Sequence, residues 1–194
     1  MSASLARPIV KEGRKFKVRI LRPSEYQMLR HGAVKESYQV QLDALLRTGM
    51  RYVEMQRLHS NPGWLDSSGF VYLPQAAILK AKRRQLNRWV KLNPDGIASV
   101  SLFLRGPQLP VWETWTIWMK EWAQRISLDP IGLGPKTTRK TWESWLTFYY
   151  GQNRLLEIVQ SQGHTTGTSL HHYLSMPFLP KDKEEMKPFV EGMF

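Results

Sequence analysis

The sequence contains no cysteine, which excludes disulfide bonds, thiolate metal ligands and a cysteine nucleophile. It also has no apolar run near the roughly 20 residues that a membrane-spanning helix needs. The first 16 residues lack the apolar stretch of a secretory signal peptide. We therefore expect a soluble, cytoplasmic protein.

Acidic residues are few compared with basic ones. The 194 residues include 28 Lys or Arg and 16 Asp or Glu, so the formal net charge is +12. The length is enough for one good core and short for two. Such an excess of positive charge on one domain favours a polyanionic partner, most simply nucleic acid. A merely basic or ribosome-like protein would have the same composition, so the motifs must distinguish them.

The N-terminal third carries the pattern of three helices. The first has Ser24 as its N-cap and runs to about Gly32. The second covers residues 38–46, where apolar residues recur on one face. Gly49 interrupts this pattern, and a third short helix begins at Arg51.

A small antiparallel sheet is predicted next. Strands at 70–73 and 86–92 flank a connection rich in Lys and Arg, and residues 93–96 form the turn that closes the second strand. Helices resume at Pro110, with tryptophans every three or four residues. This spacing is typical of core packing, and no phosphate loop accompanies it as a cofactor stack would require. The expected fold class is α+β, mainly helical, with a three-stranded antiparallel sheet.

Six residues could together break a phosphodiester bond. Tyr173 is the candidate nucleophile, because nearby cations can stabilise a phenolate whose ordinary pKa is about 10. Arg51 and Arg139 are candidate phosphate clamps, since a guanidinium matches two phosphate oxygens and stays charged. Lys82 is the candidate general acid for the 5′-hydroxyl leaving group, with Lys80 as the alternate.

Other interpretations of these residues stay open. A tyrosine after two histidines is usually a half-buried surface residue, and most arginines of a basic protein are solvated or contact DNA backbone. The run that contains Lys80, Lys82, Arg83 and Arg84 could equally bind the DNA backbone.

Histidines and a further lysine complete the set. His164 and Lys136 would donate to the non-bridging phosphate oxygens or assist proton transfer at the tyrosine. His164 with His171 and His172 also suggests a metal site, but no acidic or thiolate partner lies at ligand spacing. We therefore predict no metal.

Three segments taken together resemble the signature boxes of the tyrosine recombinase, or phage integrase, family. They are LLRTGMRYVE at 45–54, KTTR at 136–139 and GHTTGTSLHHY at 163–173. The likeness covers roughly residues 23–180. It implies a catalytic domain that cleaves and rejoins DNA through a 3′-phosphotyrosine intermediate, with no cofactor.

The resemblance also assigns roles to individual residues. These are Arg51 and Arg139 as the arginine pair, Lys82 as the lysine of the strand turn, His164 in the His/Trp position and Tyr173 as nucleophile. Glu54 is similar to the acidic residue that orients the first arginine. Lys136 replaces the usual histidine, as in fuselloviral-type integrases of archaeal viruses and plasmids. A phosphate-binding role for Lys136 needs no shift of its pKa, whereas a base would need a strongly depressed one.

The family comparison divides the chain into three parts. Residues 1–22, with seven Lys or Arg, are expected to be a basic arm or linker, and 23–180 the catalytic domain. Residues 181–194 form an apolar-faced tail that either exchanges between protomers or packs on its own domain. Because the family's separate N-terminal DNA-clamping domain has no counterpart here, the chain is either a naturally minimal integrase or, as we expect, a catalytic fragment of a longer one.

The expected partner is a double-stranded DNA attachment site. The resemblance implies a homotetramer on DNA, a monomer without it, and a nucleoid-associated location while bound. Two alternatives are a type IB topoisomerase, which uses the same chemistry without site dependence, and a DNA-binding accessory protein that has lost catalysis.

Overall fold

A computed structural model describes residues 8–12, 17–74, 87–163 and 177–194 of the chain. The helices in these ranges are α1 Pro23–Gly32, α2 Glu36–Thr48, α3 Tyr52–Ser60, α4 Pro94–Arg105, α5 Trp112–Arg125, α6 Thr137–Tyr150, α7 Leu155–Gln162 and α8 Pro180–Val190. The strands are β1 Ile9–Glu12, β2 Lys17–Ile20, β3 Phe70–Leu73 and β4 Arg88–Lys91. Short 3-10 helices occupy Pro62–Trp64 and Gly151–Arg154. The predicted mainly helical α+β class is confirmed.

The strands form two antiparallel hairpins, β1–β2 and β3–β4. The sheet predicted to have three strands is thus two-stranded in the described part, with one further bridge between Leu65 and Val71. A third strand does not extend from Leu65 because the chain turns at once. Asp66 N donates to Phe70 O at 2.9 Å, and the Asp66 carboxylate accepts from the backbone of Ser68 and Phe70.

The predicted basic arm is wrong where the structure describes it. The hairpin β1–β2 lies on the domain, with Ile20 and Leu21 fully buried. Trp145 Nε1 donates to Leu21 O at 2.8 Å, and Arg19 forms a buried 2.7 Å ion pair with Glu25. The count of basic residues concealed these buried apolar positions, and a paired arginine is compatible with a packed strand.

The first three helices begin and end close to the predicted residues, with small shifts. α1 begins at Pro23 after Arg22, not after Ser24, because Arg22 N donates to Glu25 Oε2 at 2.8 Å and Pro23 suits the first helical position. α2 is longer than predicted and ends at Gly49, whose φ of 56° is left-handed. α3 begins at Tyr52, one residue after the predicted start, with Arg51 as its N-cap.

One helix was missed from the sequence. Residues 93–96 were predicted to be a closing turn, but they begin α4. Asn93 Oδ1 accepts from Gly96 N at 2.9 Å, and Pro94 is the first helical residue. Asn-Pro-Asp-Gly is a signal for a turn and for a helix start alike, so the pattern alone could not separate them.

Helix α6 lies at the centre of the domain, in contact with α2, β2 and α8. The prediction that the tryptophans form core is confirmed for those of the inner faces of α5 and α6, which are Trp115, Trp122, Trp142 and Trp145. Trp112, at the start of α5, is exposed instead. No helix in the described ranges is both long and apolar enough to cross a membrane.

The C-terminal tail packs on its own domain, which was one of the two alternatives. Met186 and Val190 of α8 are fully buried, and the Phe189 ring meets Tyr26 and Trp145 edge to face. Arg22 also pairs with the buried Asp182 of α8. Both apolar packing and a buried ion pair thus join α8 to α1 and α6.

Candidate active site

The first box lies at the junction between α2 and α3. Gly49 ends α2 in the left-handed conformation, and Arg51 is the N-cap of α3. Glu54, the third residue of α3, accepts from Arg51 N at 2.7 Å through Oε2 and from Arg51 Nη1 at 2.7 Å through Oε1. One carboxylate therefore binds both the backbone and the guanidinium of Arg51, which is the contact that the predicted supporting role of Glu54 requires.

A third arginine, absent from the sequence-based prediction, shares this carboxylate. Arg88 of β4 donates from Nη2 to Glu54 Oε2 at 2.6 Å and from Nη1 to Ser161 O at 3.3 Å. It is buried, as is Glu54. The signal that could have revealed it is strand alternation, because Arg88 and Val90 face the interior together, and a charge on the inner face of a strand needs a partner.

The second box brings its arginine to the same place. Arg139, in the first turn of α6, is buried and donates from Nη1 to Gly49 O at 2.8 Å and from Nη2 to Gln162 O. Its guanidinium therefore joins the C-terminal end of α2 to that of α7. The predicted pair, Arg51 and Arg139, is brought together at this point.

The cluster of Arg51, Glu54, Arg88 and Arg139 carries an excess of positive charge. Burial alone would raise the pKa of Glu54, but the cations Arg88, Arg51 and Arg139 outweigh it and hold this pKa below its usual value. Burial lowers the pKa of Arg88 to about 10, with Glu54 opposing the shift, so Arg88 remains a cation at neutral pH. Among the described side chains, the cluster gathers three guanidinium groups around one carboxylate, and this concentration of positively charged donors suits a phosphate.

Lys136 of the second box lies at the edge of this region. It is the N-cap of α6, one turn before Arg139, and its side chain is exposed. The positive end of the helix dipole lies at this terminus. The position is open to a ligand, which suits the predicted contact with a phosphate oxygen.

The other predicted site residues lie outside the described ranges: Lys80, Lys82, Arg83, Arg84, His164 and Tyr173. The described chain reaches Gly163 after α7 and resumes at Pro177, whose carbonyl accepts from Arg22 Nη2 at 2.8 Å. The distance from the Tyr173 hydroxyl to the guanidinium groups therefore stays a prediction. Within the described residues, no three His, Asp or Glu side chains are grouped so as to hold a metal ion.

Comparison with known proteins gives a likeness at the level of fold. Neither a protein-family model nor a curated protein matches the sequence. Among solved structures, the XerA recombinase superposes with a TM-score of 0.60 over 89% of this chain at 14% sequence identity. This chain covers 65% of the XerA chain. The fold is accordingly similar to that of the XerA recombinase, and at this identity the likeness extends to the fold alone.

Proposed function

We propose that this chain is the catalytic domain of a site-specific DNA recombinase or integrase that cleaves and rejoins strands through a 3′-phosphotyrosine intermediate. One observation carries the proposal: Arg51 and Arg139, from separate boxes, meet in one cluster around Glu54. The cluster gathers three guanidinium groups around that carboxylate and lies at the end of α7, where the third box begins. The XerA-like fold supports the same conclusion.

The reaction needs no net input of bond energy. The Tyr173 oxygen attacks the scissile phosphorus as its phenolic proton passes to solvent, with His164 assisting the transfer, and the bond from phosphorus to the 5′ oxygen breaks. Lys82 gives a proton to that oxygen, which leaves as a hydroxyl. A 5′-hydroxyl of another strand later attacks the phosphotyrosyl bond and releases the tyrosine. Because one phosphodiester is exchanged for another of similar energy, nucleotide hydrolysis is not required.

The cations have separable roles in this scheme. Arg51 and Arg139 neutralise the negative charge added when phosphorus becomes five-coordinate. Lys136 and His164 donate to the non-bridging oxygens. A fixed cation in a largely buried site stabilises such charge more than a solvated one does. The arginine pair should therefore affect the chemical step more than DNA affinity.

The proposed partner is a double-stranded DNA attachment site, bound by four copies of the chain. The formal charge of +12 supports a polyanionic partner. The KTTR form of the second box supports the narrower proposal of an integrase of the archaeal virus and plasmid type. Much of the binding free energy should come from phosphate contacts, so affinity should fall steeply with salt.

The test is a nicked suicide substrate, in which the released strand diffuses away and traps the covalent intermediate. The wild-type protein, used at high concentration, should give a covalent protein–DNA band. Tyr173→Phe should abolish it. Tyr149→Phe is the matched control, since Tyr149 is half-buried at the end of α6 and its ring contacts survive the change.

Three outcomes distinguish the candidate functions. A band that depends on Tyr173 and on one DNA sequence supports the recombinase. Relaxation of supercoiled plasmid without site dependence would instead indicate a type IB topoisomerase. DNA binding with no covalent band at any protein concentration would indicate a binding protein without catalysis, and the proposal would be wrong.

A further inference from the structure

Arg88 is a buried arginine that none of the three boxes contains. It comes from β4, whereas its two partners come from α3 and α7: Glu54 Oε2 at 2.6 Å and Ser161 O at 3.3 Å. We propose that Arg88 is a positioning residue of the recombinase, which acts through Glu54 to hold the Arg51 guanidinium in place for the scissile phosphate. This inference rests on the proposed function and extends it to a residue outside the boxes.

The two arginines that share Glu54 differ in how much of each side chain is exposed. The Arg51 side chain is 37% exposed, whereas Arg88 is 6% exposed and Glu54 is 2% exposed. A phosphate group can therefore approach Arg51 directly but not Arg88. Of the two described partners of Arg88, Glu54 is the one that contacts Arg51, so the effect of Arg88 on Arg51 passes through this carboxylate.

The hydrogen bonds of Glu54 show how that effect is transmitted. Oε1 accepts from Arg51 Nη1, and Oε2 accepts from both Arg51 N and Arg88 Nη2. Three donors from two chain segments fix both oxygens of the carboxylate, which in turn fixes the guanidinium bonded to Oε1. Without Arg88, the Glu54 carboxylate keeps only Arg51 donors among the hydrogen bonds described. No described donor outside α3 and its N-cap then fixes the orientation of the carboxylate.

Charge gives a second reason for a shared carboxylate. A Glu54–Arg51 pair alone would be neutral and would attract a phosphate weakly. With Arg88 on the other oxygen, the single negative charge is divided between two cations, and Arg51 keeps net positive potential. Arg139 adds to that potential, since it also acts on Glu54 as a nearby positive charge that lowers the pKa of this carboxyl group.

The start of α1 provides an internal comparison. There Glu25 accepts from Arg22 N at 2.8 Å and from Arg19 Nη2 at 2.7 Å, so an N3 glutamate again joins an N-cap arginine to an arginine of a strand. The Arg22 guanidinium, however, is buried against Asp182 and Pro177 O. The same local arrangement thus holds a purely internal arginine in α1 and a partly exposed one in α3. Arg19 is therefore the matched control for Arg88.

The test compares Arg88→Lys with Arg19→Lys. Lysine keeps the charge but lacks the planar fork that reaches two partners at once. The first measurement is the ¹⁵N relaxation of the Arg51 Nε–H group in the free protein, with the signal assigned through Arg51→Lys. The second is the rate of covalent complex formation at saturating suicide substrate, together with DNA affinity.

In Arg88→Lys we expect the Arg51 side chain to become mobile and the covalent rate to fall between about tenfold and a hundredfold, since small misplacements near a reacting group cost this much. DNA affinity should change by less than about twofold, because Arg51 is one contact among many. Arg19→Lys should lower the unfolding midpoint by about as much as Arg88→Lys does. It should leave both the Arg51 signal and the covalent rate unchanged.

Several results would overturn the inference. These are an Arg51 signal that stays ordered in Arg88→Lys, a wild-type rate despite lost order, or an equal rate loss in Arg19→Lys. If Arg88→Lys does not fold, the double variant Arg88→Met with Glu54→Gln removes both charges of the pair. A wild-type covalent rate in that variant would also overturn the inference. A wild-type protein that forms no covalent complex would instead refute the proposed function, and the relaxation data would still decide whether Arg88 positions Arg51.

Discussion

The Arg139 guanidinium donates a 2.8 Å hydrogen bond to the backbone oxygen of Gly49, two residues before Arg51. One arginine of the proposed pair therefore fixes the backbone that presents the other. The same guanidinium also binds Gln162 O, at the end of the helix that leads into the third box. Arg139 thus has a structural role in addition to the proposed catalytic one.

Replacing Arg139 should affect both stability and reaction. Arg139→Lys cannot donate to Gly49 O and Gln162 O together, and buried carbonyls left without a donor destabilise the fold by about 1–3 kcal/mol. Urea unfolding should show this loss, and the suicide substrate should show no covalent band. Arg30→Lys is the control, because Arg30 pairs with Asp43 near the surface and the change there should stay below about 1 kcal/mol. Equal losses in both variants would contradict the prediction.

Gly49 should tolerate no side chain. Its φ is +56°, and an added Cβ would lie 2.4 Å from Trp142 Cδ1 and 2.8 Å from Gln162 Nε2. Left-handed strain plus overpacking should make Gly49→Ala less stable by about 2–4 kcal/mol. Gly63→Ala is the matched control, since no atom of the described residues lies within 4 Å of its added Cβ. Thermal unfolding of both variants checks the prediction, and similar midpoints would contradict it.

The sequence was most informative for contacts between residues that are close along the chain. Arg51 and Glu54 are three residues apart, so the start of a helix places them in contact, and their relationship could be predicted from spacing and family resemblance. The partners of Arg139 could not, because Gly49 and Gln162 lie 90 and 23 residues away along the chain. Backbone carbonyls as partners have no signature in the sequence at all.

Two failures have a common physical cause. Arg88 and Arg19 are both strand arginines whose charge is buried against a helix N3 glutamate. Sequence patterns treat Lys and Arg as surface residues, so Arg19 was assigned to an arm and Arg88 received no role. Only tertiary pairing makes such burial favourable. A basic residue on the inward face of a predicted strand therefore indicates a buried ion pair with an acidic residue elsewhere in the sequence.

The ion pair between Arg22 and Asp182 should hold the C-terminal helix in place. Asp182 is fully buried, accepts from Leu179 N at 2.7 Å at the start of α8, and pairs with Arg22, which also binds Pro177 O. Asp182→Ala leaves a buried cation without its carboxylate, a loss of about 3–5 kcal/mol. Limited proteolysis should then cleave within α8.

Its control is the exposed pair of the same helix. Lys187 and Glu191 are 3.9 Å apart at the surface, so Glu191→Gln should leave the unfolding midpoint and the proteolysis pattern unchanged. If Asp182→Ala resists protease as well as this control does, the ion pair is not what retains α8.

Acid should weaken the domain partly through Glu54. Burial alone would raise the pKa of this carboxyl group, but Arg88, Arg51 and Arg139 together bring it below the ordinary value. A carboxyl group whose pKa is lower in the folded state than in the unfolded state contributes stability above its unfolded pKa of about 4.3. That contribution is lost as the pH falls through the folded value.

The measurement is the free energy of unfolding of wild type and Glu54→Gln by urea at a series of pH values. The wild type should be more stable by a constant amount from about pH 7 to about pH 5.5, and the difference should shrink toward about pH 3, because protonation removes the same charge that the substitution removes. Glu157→Gln is the control, since its pair with Arg154 is exposed and its difference from wild type should stay near zero throughout. If the Glu54→Gln difference keeps its neutral-pH value at about pH 3, the cations are not what holds the Glu54 charge, and the electrostatic basis for Arg88 as a positioning residue fails with it.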